Sequence, residues 1–124
     1  MNTTYGTQHQ PSELRVNREQ KTLEIDFKDG KTFSLPAELL RVESPSAEVQ
    51  GHGPGQKNIV QGRRHVGIME VEPMGNYAVK IKFDDLHDSG IFTWDLLYDF
   101  GQRQEEIWAN YLNDLKDMGY SRDP

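Results

Sequence analysis

Apolar and polar side chains alternate with a period of two over residues 13–35. This period is typical of β-strands with one buried face, so the segment predicts three strands. Turn residues interrupt the alternation most clearly at Asp29-Gly30. The alternating apolar positions are Leu14, Val16, Leu23, Ile25, Phe27, Phe33 and Leu35.

The length of the loop at Asp29-Gly30 decides which faces Phe27 and Phe33 occupy. A two-residue loop would pair Phe27 with Thr32 and turn Phe33 to the opposite face of the hairpin. Both rings reach one face only if the loop contains an odd number of residues. We therefore predict a bulged hairpin with a loop of three or five residues.

The period changes after Leu35, where a short helix is predicted. Pro36 suits the first position of a helix, and the following Leu39-Leu40 pair supplies an apolar edge. The helix should end near Glu43, because Ser44 precedes a proline and is therefore disfavoured in helical geometry.

Residues 44–65 form the longest irregular stretch of the sequence. They contain four glycines and two prolines. We expect a mobile loop here, with one helical turn at residues 46–50.

A second group of strands follows from Val66. The phase of the apolar positions slips by one residue near Met69, which predicts a β-bulge. A reversal at residues 72–76 leads into clean alternation over residues 77–83, and a short strand is expected at Ile91-Phe92. The apolar positions of these strands are Val66, Ile68, Val71, Tyr77, Val79, Ile81 and Phe83.

Two helices are predicted after the strands. Thr93 is a suitable N-cap for the first, and Gly101 suits its end. The second is predicted over about residues 102–118, with Gly119 ending it. Strands first and helices last indicate an α+β fold, a mostly antiparallel sheet with helices on one face. The apolar helix positions are Trp94, Leu96, Leu97, Phe100, Ile107, Trp108, Tyr111, Leu112, Leu115 and Met118.

Composition restricts the class of protein. The chain has 124 residues, no cysteine and a formal net charge of −6. We predict one domain at residues 13–119, with a flexible tail at 1–12 and a C-terminal tail at 120–124. Disulfides, thiolate metal sites and thiol catalysis are excluded. Without a secretory signal, a membrane span or a general affinity for nucleic acid, a cytoplasmic protein is expected.

The negative charge is concentrated in the last third of the chain. Residues 1–83 carry 11 basic and 10 acidic side chains, whereas residues 84–124 carry 3 and 10. One interpretation of this excess is a solvated helix face, which the exposure of most charged residues favours. The other interpretation is a docking face for a basic partner.

His87 is the strongest candidate for chemistry in the sequence. It lies among Asp84, Asp85 and Asp88, a cluster that could hold a divalent metal or form only turn hydrogen bonds. His9 lies in the polar tail, and we expect it to have no functional role. His52 is expected to be exposed. No nucleophile is paired with a base, so the sequence supports no enzymatic activity. The basic cluster Arg63, Arg64 and His65 is the candidate surface for an acidic partner or a phosphate, although arginines before a strand are commonly only exposed.

Four motifs in order along the chain resemble the gamma-butyrobetaine hydroxylase-like N-terminal domain family. The resemblance runs from about residue 13 to residue 97. It implies a small, mostly β domain of unsettled function, found alone in bacteria or fused to iron- and 2-oxoglutarate-dependent oxygenases and to P-loop ATPases with iron–sulphur clusters. The motifs are LRVESPSAE at 40–48, GH at 51–52, MGNYAV at 74–79 and FDDLHDSGIFTW at 83–94.

The resemblance also implies a changed metal site. In the hydroxylase branch of the family, three cysteines and a histidine hold zinc. The cysteine positions are Ser44, Ser46 and Val49 here, and the histidine position is His87. Neutral hydroxyls are poor zinc ligands, so we expect the serines and His87 to hydrogen-bond one another.

A non-catalytic binding or adaptor domain is the function that the sequence favours, with a protein partner near iron–sulphur or oxygenase machinery. The alternative is a metal-binding protein in which iron or zinc is held by His87, His52, Asp85 and Glu48. A third hypothesis is a small enzyme with His87 as general base.

Overall fold

The first three strands form an antiparallel sheet in the order β1-β2-β3. A computed structural model of the chain describes residues 8–124. The strands are β1 (Pro11–Asn17), β2 (Thr22–Phe27) and β3 (Thr32–Pro36). Of the tail predicted at residues 1–12, residues 1–7 lie outside the described part, and Pro11 and Ser12 belong to β1.

The hairpin between β2 and β3 has the predicted odd loop. Ile25 pairs with Phe33, and the Phe27 amide donates to the Lys31 carbonyl at 2.8 Å, which leaves residues 28–30 as a three-residue loop. Gly30 has a φ of 93°, the left-handed conformation that such a loop requires. The Phe27 and Phe33 rings consequently meet on one face, with centroids 5.9 Å apart.

Two short helices connect the sheets. Helix α1 spans Ala37–Val42, with Pro36 as its N-cap instead of its first residue and Glu43 as its C-cap. Helix α2 spans Ala47–Gln50 and is the single turn predicted within residues 44–65.

The second sheet has the order β4-β5-β6 and is also antiparallel. Its strands are β4 (Ile68–Met74), β5 (Ala78–Phe83) and β6 (Ile91–Thr93). The predicted bulge is present, because the register shifts between Ile68 and Glu70. Tyr77 lies in the turn between β4 and β5 and not in the strand where the alternation placed it.

Helix α3 (Trp94–Gln102) begins as predicted but ends later. The Thr93 hydroxyl accepts a hydrogen bond from the Leu96 amide at 3.1 Å. Gly101 does not end the helix. A Cβ built on Gly101 would lie 2.2 Å from the Phe33 ring, so the glycine allows the helix to approach β3.

Helix α4 spans Gln104–Met118, beginning two residues later than predicted. Gly119 ends it in the left-handed conformation. Ile107, Tyr111 and Leu115 form the buried stripe, but Met118 is exposed, because it belongs to the last turn and extends beyond the core.

The two sheets, α1 and α3 share one hydrophobic core. A smaller cluster packs Val42 against Tyr111 and Leu115. These observations confirm the α+β fold, with a short helix after the first strands and helices at the C-terminal end. The main core contains, among others, Leu23, Ile25, Leu35, Leu40, Ile81, Phe83, Phe92 and Leu97.

Candidate functional site

Ser44, Ser46 and His87 meet in the protein interior, and we call them the serine–histidine cluster. The His87 Nε2 atom lies 3.1 Å from the Ser44 hydroxyl and 3.3 Å from the Ser46 hydroxyl. The two hydroxyl oxygens are 3.2 Å apart, and the Ser46 amide donates to the Ser44 hydroxyl at 3.3 Å. Ser44 is 0% exposed and His87 is 8% exposed. The two hydroxyls and His87 Nε2 therefore hydrogen-bond one another in the interior.

His87 follows Ser44 by 43 positions and Ser46 by 41 positions. Local chain geometry explains how these distant residues come together. Ser44 and Ser46 follow the end of α1, where Pro45 keeps the chain extended. His87 lies in the loop after β5, and its carbonyl accepts from the Phe83 amide at 2.9 Å. A Cβ on Gly90 would lie 2.3 Å from the Ser44 hydroxyl oxygen, so only glycine permits this approach.

Burial and a neighbouring cation favour the neutral form of the His87 side chain. Desolvation lowers the pKa of His87 below its ordinary value of 6.5, and the positive charge of Arg41 lowers it further. Glu48 and the aspartates oppose this shift. A neutral imidazole offers one donor and one acceptor, which suits hydrogen bonding to hydroxyl groups.

The donor set of this cluster does not fit a structural zinc ion. The hydroxyls of Ser44 and Ser46 replace thiolates, and the third family position is the buried Val49. The carboxylate nearest to the His87 imidazole is that of Glu48, whose Oε1 lies 3.7 Å from His87 Nδ1 and accepts from the Ser89 hydroxyl at 2.6 Å. Within residues 8–124, no three His, Cys, Asp or Glu side chains are grouped closely enough to hold a metal.

The other two candidate ligands lie apart from the His87 imidazole. His52 is exposed, and its backbone amide donates to the Gln56 side chain at 3.2 Å. Asp85 Oδ1 accepts from the His87 backbone amide at 3.1 Å, and its other oxygen binds two arginines. The structure thus pairs His87 with Glu48 and assigns Asp85 a different role.

Asp85 lies between Arg41 and Arg63 and joins α1 to the residues before β4. Its Oδ2 atom accepts from the Nε of each arginine at 2.7 Å. Burial alone would raise the pKa of Asp85, but the hydrogen bonds from Arg41 and from the His87 amide lower it overall. Arg41 Nη1 is buried without a hydrogen-bond partner. The carboxylate therefore supports the His87 loop as an anion.

The candidate partner surface Arg63, Arg64 and His65 is largely engaged within the chain. Arg63 binds Asp85, and the Arg64 side chain binds Asp123 near the C-terminal end. The His65 carbonyl accepts from the Lys21 ammonium at 2.8 Å. Both arginines are therefore paired with aspartates of the same chain, whereas a partner at this surface stays a prediction.

Hydrogen bonds fasten residues 44–65 to the rest of the domain. The Tyr111 hydroxyl donates to the Val60 carbonyl at 2.6 Å, and burial raises the pKa of Tyr111 to about 12. The Gly62 amide donates to the Ser121 carbonyl at 2.9 Å. Apart from α2 the segment is irregular, but it is fixed to the rest of the domain at both of these points.

Leu86 is an exposed residue in the loop after β5, and the sequence pattern does not single it out. It is 68% exposed, and its φ is 74°. A branched side chain is rare in this conformation, and no local sequence signal predicts it. The Leu86 amide donates to the Phe83 carbonyl at 2.9 Å, which closes a tight turn around the exposed side chain.

A catalytic triad places a nucleophile, a base and an orienting acid side by side, and the sequence of side chains Ser44, His87 and Glu48 resembles that arrangement. The Ser44 hydroxyl is 0% exposed, so no substrate carbon can reach it in this conformation. In this conformation the Ser44 hydroxyl is engaged with His87 and Ser46 and is closed to solvent.

His9, expected to be incidental, contacts the helix α3 region. Its ring stacks on Tyr98 with centroids 3.6 Å apart, and its Nδ1 lies 3.1 Å from Asp95. The Tyr98 hydroxyl donates to Asp29 at 2.6 Å. This cluster joins the residues before β1 to α3 and lies at the surface.

Over residues 8–124, the helices are all too short or too polar to cross a bilayer. A search of curated proteins found no match. Two proteins with solution structures determined by NMR are similar over nearly their whole lengths. One is 48% identical with a TM-score of 0.81, covering 94% of this chain and 91% of that chain. The other is 43% identical with a TM-score of 0.82, covering 100% and 92%.

A crystal structure from Acidithiobacillus ferrooxidans is also similar, at 43% identity and a TM-score of 0.60, covering 71% of this chain and 88% of that one. It is described as a protein of unknown function in the DUF971 family. The family model "Gamma-butyrobetaine hydroxylase-like, N-terminal" matches residues 14–98. That model describes an N-terminal domain and not a catalytic hydroxylase domain. The chain therefore belongs to the gamma-butyrobetaine hydroxylase-like N-terminal domain family.

Proposed function

We propose that this chain is a non-catalytic binding domain that holds a protein partner through the loop at residues 84–90. Its observational basis is Leu86, an exposed leucine held in a strained conformation above a buried anchor. We call Leu86, Asp88 and Ser89, with the neighbouring Glu48, the loop surface.

The conformation of Leu86 supports this proposal energetically. A left-handed backbone at a residue other than glycine costs about 1–2 kcal/mol. The turn between Phe83 and His87 maintains it, and His87 is in turn fixed by the two buried serines. Strain that the surrounding structure sustains is concentrated at functional positions in proteins.

The chemistry of the loop surface indicates the kind of partner. Leu86 offers an apolar side chain, and the exposed Asp88 and Glu48 add negative charge around it. A complementary partner has an apolar pocket with a basic rim. Family resemblance leads us to test iron–sulphur and iron-dependent oxygenase systems first.

Chemical-shift mapping tests this function. Isotope-labelled chain is mixed with an iron- and 2-oxoglutarate-dependent oxygenase domain, and separately with a P-loop ATPase that carries an iron–sulphur cluster. We expect one of them to shift residues 84–93 and residues 44–65. Binding confined to other residues, or no shift with either protein, contradicts the proposal.

A metal-binding protein is the second candidate function. The observation that favours it is the approach of the Glu48 carboxylate to His87 Nδ1, at 3.7 Å. Binding of iron or zinc by His87, Glu48, Asp85 and His52 would require the last two side chains to move. Metal analysis of protein purified without a histidine tag decides the matter. Stoichiometric metal that is lost in His87→Ala supports this candidate, whereas a folded, metal-free wild type contradicts it.

A further inference from the structure

Residues 120–123 return from the end of α4 and lie along residues 62–64; we call them the C-terminal strap. The Gly62 amide donates to the Ser121 carbonyl at 2.9 Å, and the Arg64 amide donates to the Arg122 carbonyl at 3.0 Å. Asp123 also binds the Arg64 side chain. The strap thereby places the Arg122 side chain between α1 and α4.

Arg122 is held there by two separate interactions. Its Nε and Nη2 atoms donate to the two oxygens of Glu38, at 2.9 and 2.7 Å. Its guanidinium carbon lies 5.1 Å from the centre of the Trp108 ring. Proteins commonly recognise arginine in these two ways. A carboxylate accepts two parallel hydrogen bonds from the planar guanidinium group, and an aromatic ring lies against its positive charge.

The carboxylate of this pair is unusually buried. Glu38 is 6% exposed, because it lies on α1 under the strap. Leaving a buried carboxylate without a cationic partner is unfavourable, so a cation beside Glu38 stabilises the folded domain. The site formed by Glu38 and Trp108, which we call the arginine pocket, is therefore selective by charge.

Arg122 does not fill the space next to it. A cavity of about 350 Å³ lies beside the pair, with apolar walls from Pro36, Leu39 and Trp108. Glu105 lines the same cavity and adds a second carboxylate. The volume and the mostly apolar walls with a few polar groups are those of a side-chain or ligand pocket.

The surrounding charge favours a basic occupant. Residues 84–124 carry 10 acidic and 3 basic side chains, and Arg122 is one of those three. Glu38 and Glu105 both lie at the pocket. These negative charges attract a basic segment and repel an acidic one.

We propose that the arginine pocket receives an arginine from a basic protein segment, and that Arg122 occupies it until that arginine takes its place. An apolar residue next to the incoming arginine would enter the cavity between Pro36 and Leu39. This binding site is separate from the loop surface and does not depend on it. Lysine lacks the planar fork and should be a poor substitute.

The test measures binding of the blocked dipeptide acetyl-Arg-Leu-amide by NMR. Trp108 reports on the pocket, and Trp94, whose indole donates to the Asn76 carbonyl at 2.9 Å in the core, serves as the internal control. We expect the dipeptide to shift the Trp108 indole signal and leave that of Trp94 unchanged.

Variants separate the pocket from general charge attraction. In Arg122→Gln the competing arginine is absent, so the dipeptide should bind at least about tenfold more tightly than in wild type. Arg103→Gln removes another arginine with carboxylate partners and should bind as wild type does. Glu38→Gln should abolish binding, and the lysine dipeptide should bind at least about tenfold more weakly than the arginine dipeptide.

Equal binding by wild type and Arg122→Gln, binding that survives Glu38→Gln, or equal binding of the lysine dipeptide would overturn the proposal. If Arg122→Gln does not fold, the wild type provides the test. Displacement of Arg122 should then shift the Gly62 and Arg64 amides, which donate to the strap. Unchanged amide signals in the presence of about 10 mM dipeptide would overturn the proposal as well.

Discussion

Removing the Ser44 hydroxyl should weaken the buried anchor of the His87 loop. In Ser44→Ala, His87 Nε2 keeps the Ser46 hydroxyl at 3.3 Å, but the Ser46 amide loses its acceptor. A buried polar group left without a partner costs about 1–3 kcal/mol. Alanine keeps the Cβ atom of Ser44 and lacks only its hydroxyl, so the substitution creates no new clash with Gly90. We therefore expect the free energy of unfolding to fall by about 1.5–3 kcal/mol.

Urea denaturation followed by tryptophan fluorescence measures this change. Ser12→Ala is the matched control, because the Ser12 hydroxyl donates to the Asp26 carbonyl at an exposed position. We expect a loss below about 0.5 kcal/mol for the control. Equal losses in Ser44→Ala and Ser12→Ala would refute the view that the cluster is a buried, mutually satisfied network.

Three other perturbations test separate parts of the structure. Folding lowers the pKa of His87, so the unfolded state binds a proton more readily than the folded state. The contribution of His87 to the free energy of unfolding is therefore fully present above pH 6.5 and declines as the pH falls from 6.5 through the folded pKa. His87→Gln should remove that decline, which is at most about 1.4 kcal/mol per pH unit. Gly101→Ala should cost about 1–3 kcal/mol in urea denaturation, because the methyl group would collide with Phe33. Tyr98→Phe should lower the free energy of unfolding in the same assay, because Asp29 loses a 2.6 Å hydrogen bond.

Each of these has an outcome that contradicts it. The pH prediction fails if wild type and His87→Gln lose stability in parallel between pH 6.5 and pH 5. A Gly101→Ala protein as stable as wild type would show that the approach of α3 to β3 is not tight. A change in Tyr98→Phe no larger than that in Ser12→Ala would show that the Tyr98 hydrogen bond does not contribute.

Periodicity predicted the parts of the fold that depend on which face a side chain occupies. The three-residue loop between β2 and β3 followed from the parity that puts Phe27 and Phe33 together. The bulge near Met69 followed from a slip of phase. These features could be inferred because a one-residue shift would expose apolar side chains.

Features set by distant contacts could not be predicted in this way. Gly101 resembled a helix end, but its role depends on Phe33, which is far away in sequence. The pairing of Glu38 with Arg122 spans 84 positions. The left-handed backbone at Leu86 has no local signal, because glycine and asparagine are the residues that normally indicate it.

The candidate site was predicted in part. Family resemblance indicated that Ser44, Ser46 and His87 would converge, and they do. The sequence indicates Asp85 as a metal ligand because its carboxylate lies two positions from His87. Its arginine partners come from α1 and from the segment before β4, so the sequence around His87 could not reveal them.

Comparison of two variants tests the proposed binding surface most directly. Calorimetry would measure the affinity of the protein that binds in the chemical-shift experiment for wild type, Leu86→Asp and Leu112→Asp. Leu112 is 40% exposed on α4, outside the loop, and serves as the matched leucine control. Burial of a leucine contributes about 1.5–3 kcal/mol, so Leu86→Asp should weaken binding by about tenfold or more, whereas Leu112→Asp should change it less than about twofold. Equal affinities for wild type and Leu86→Asp would contradict the central claim.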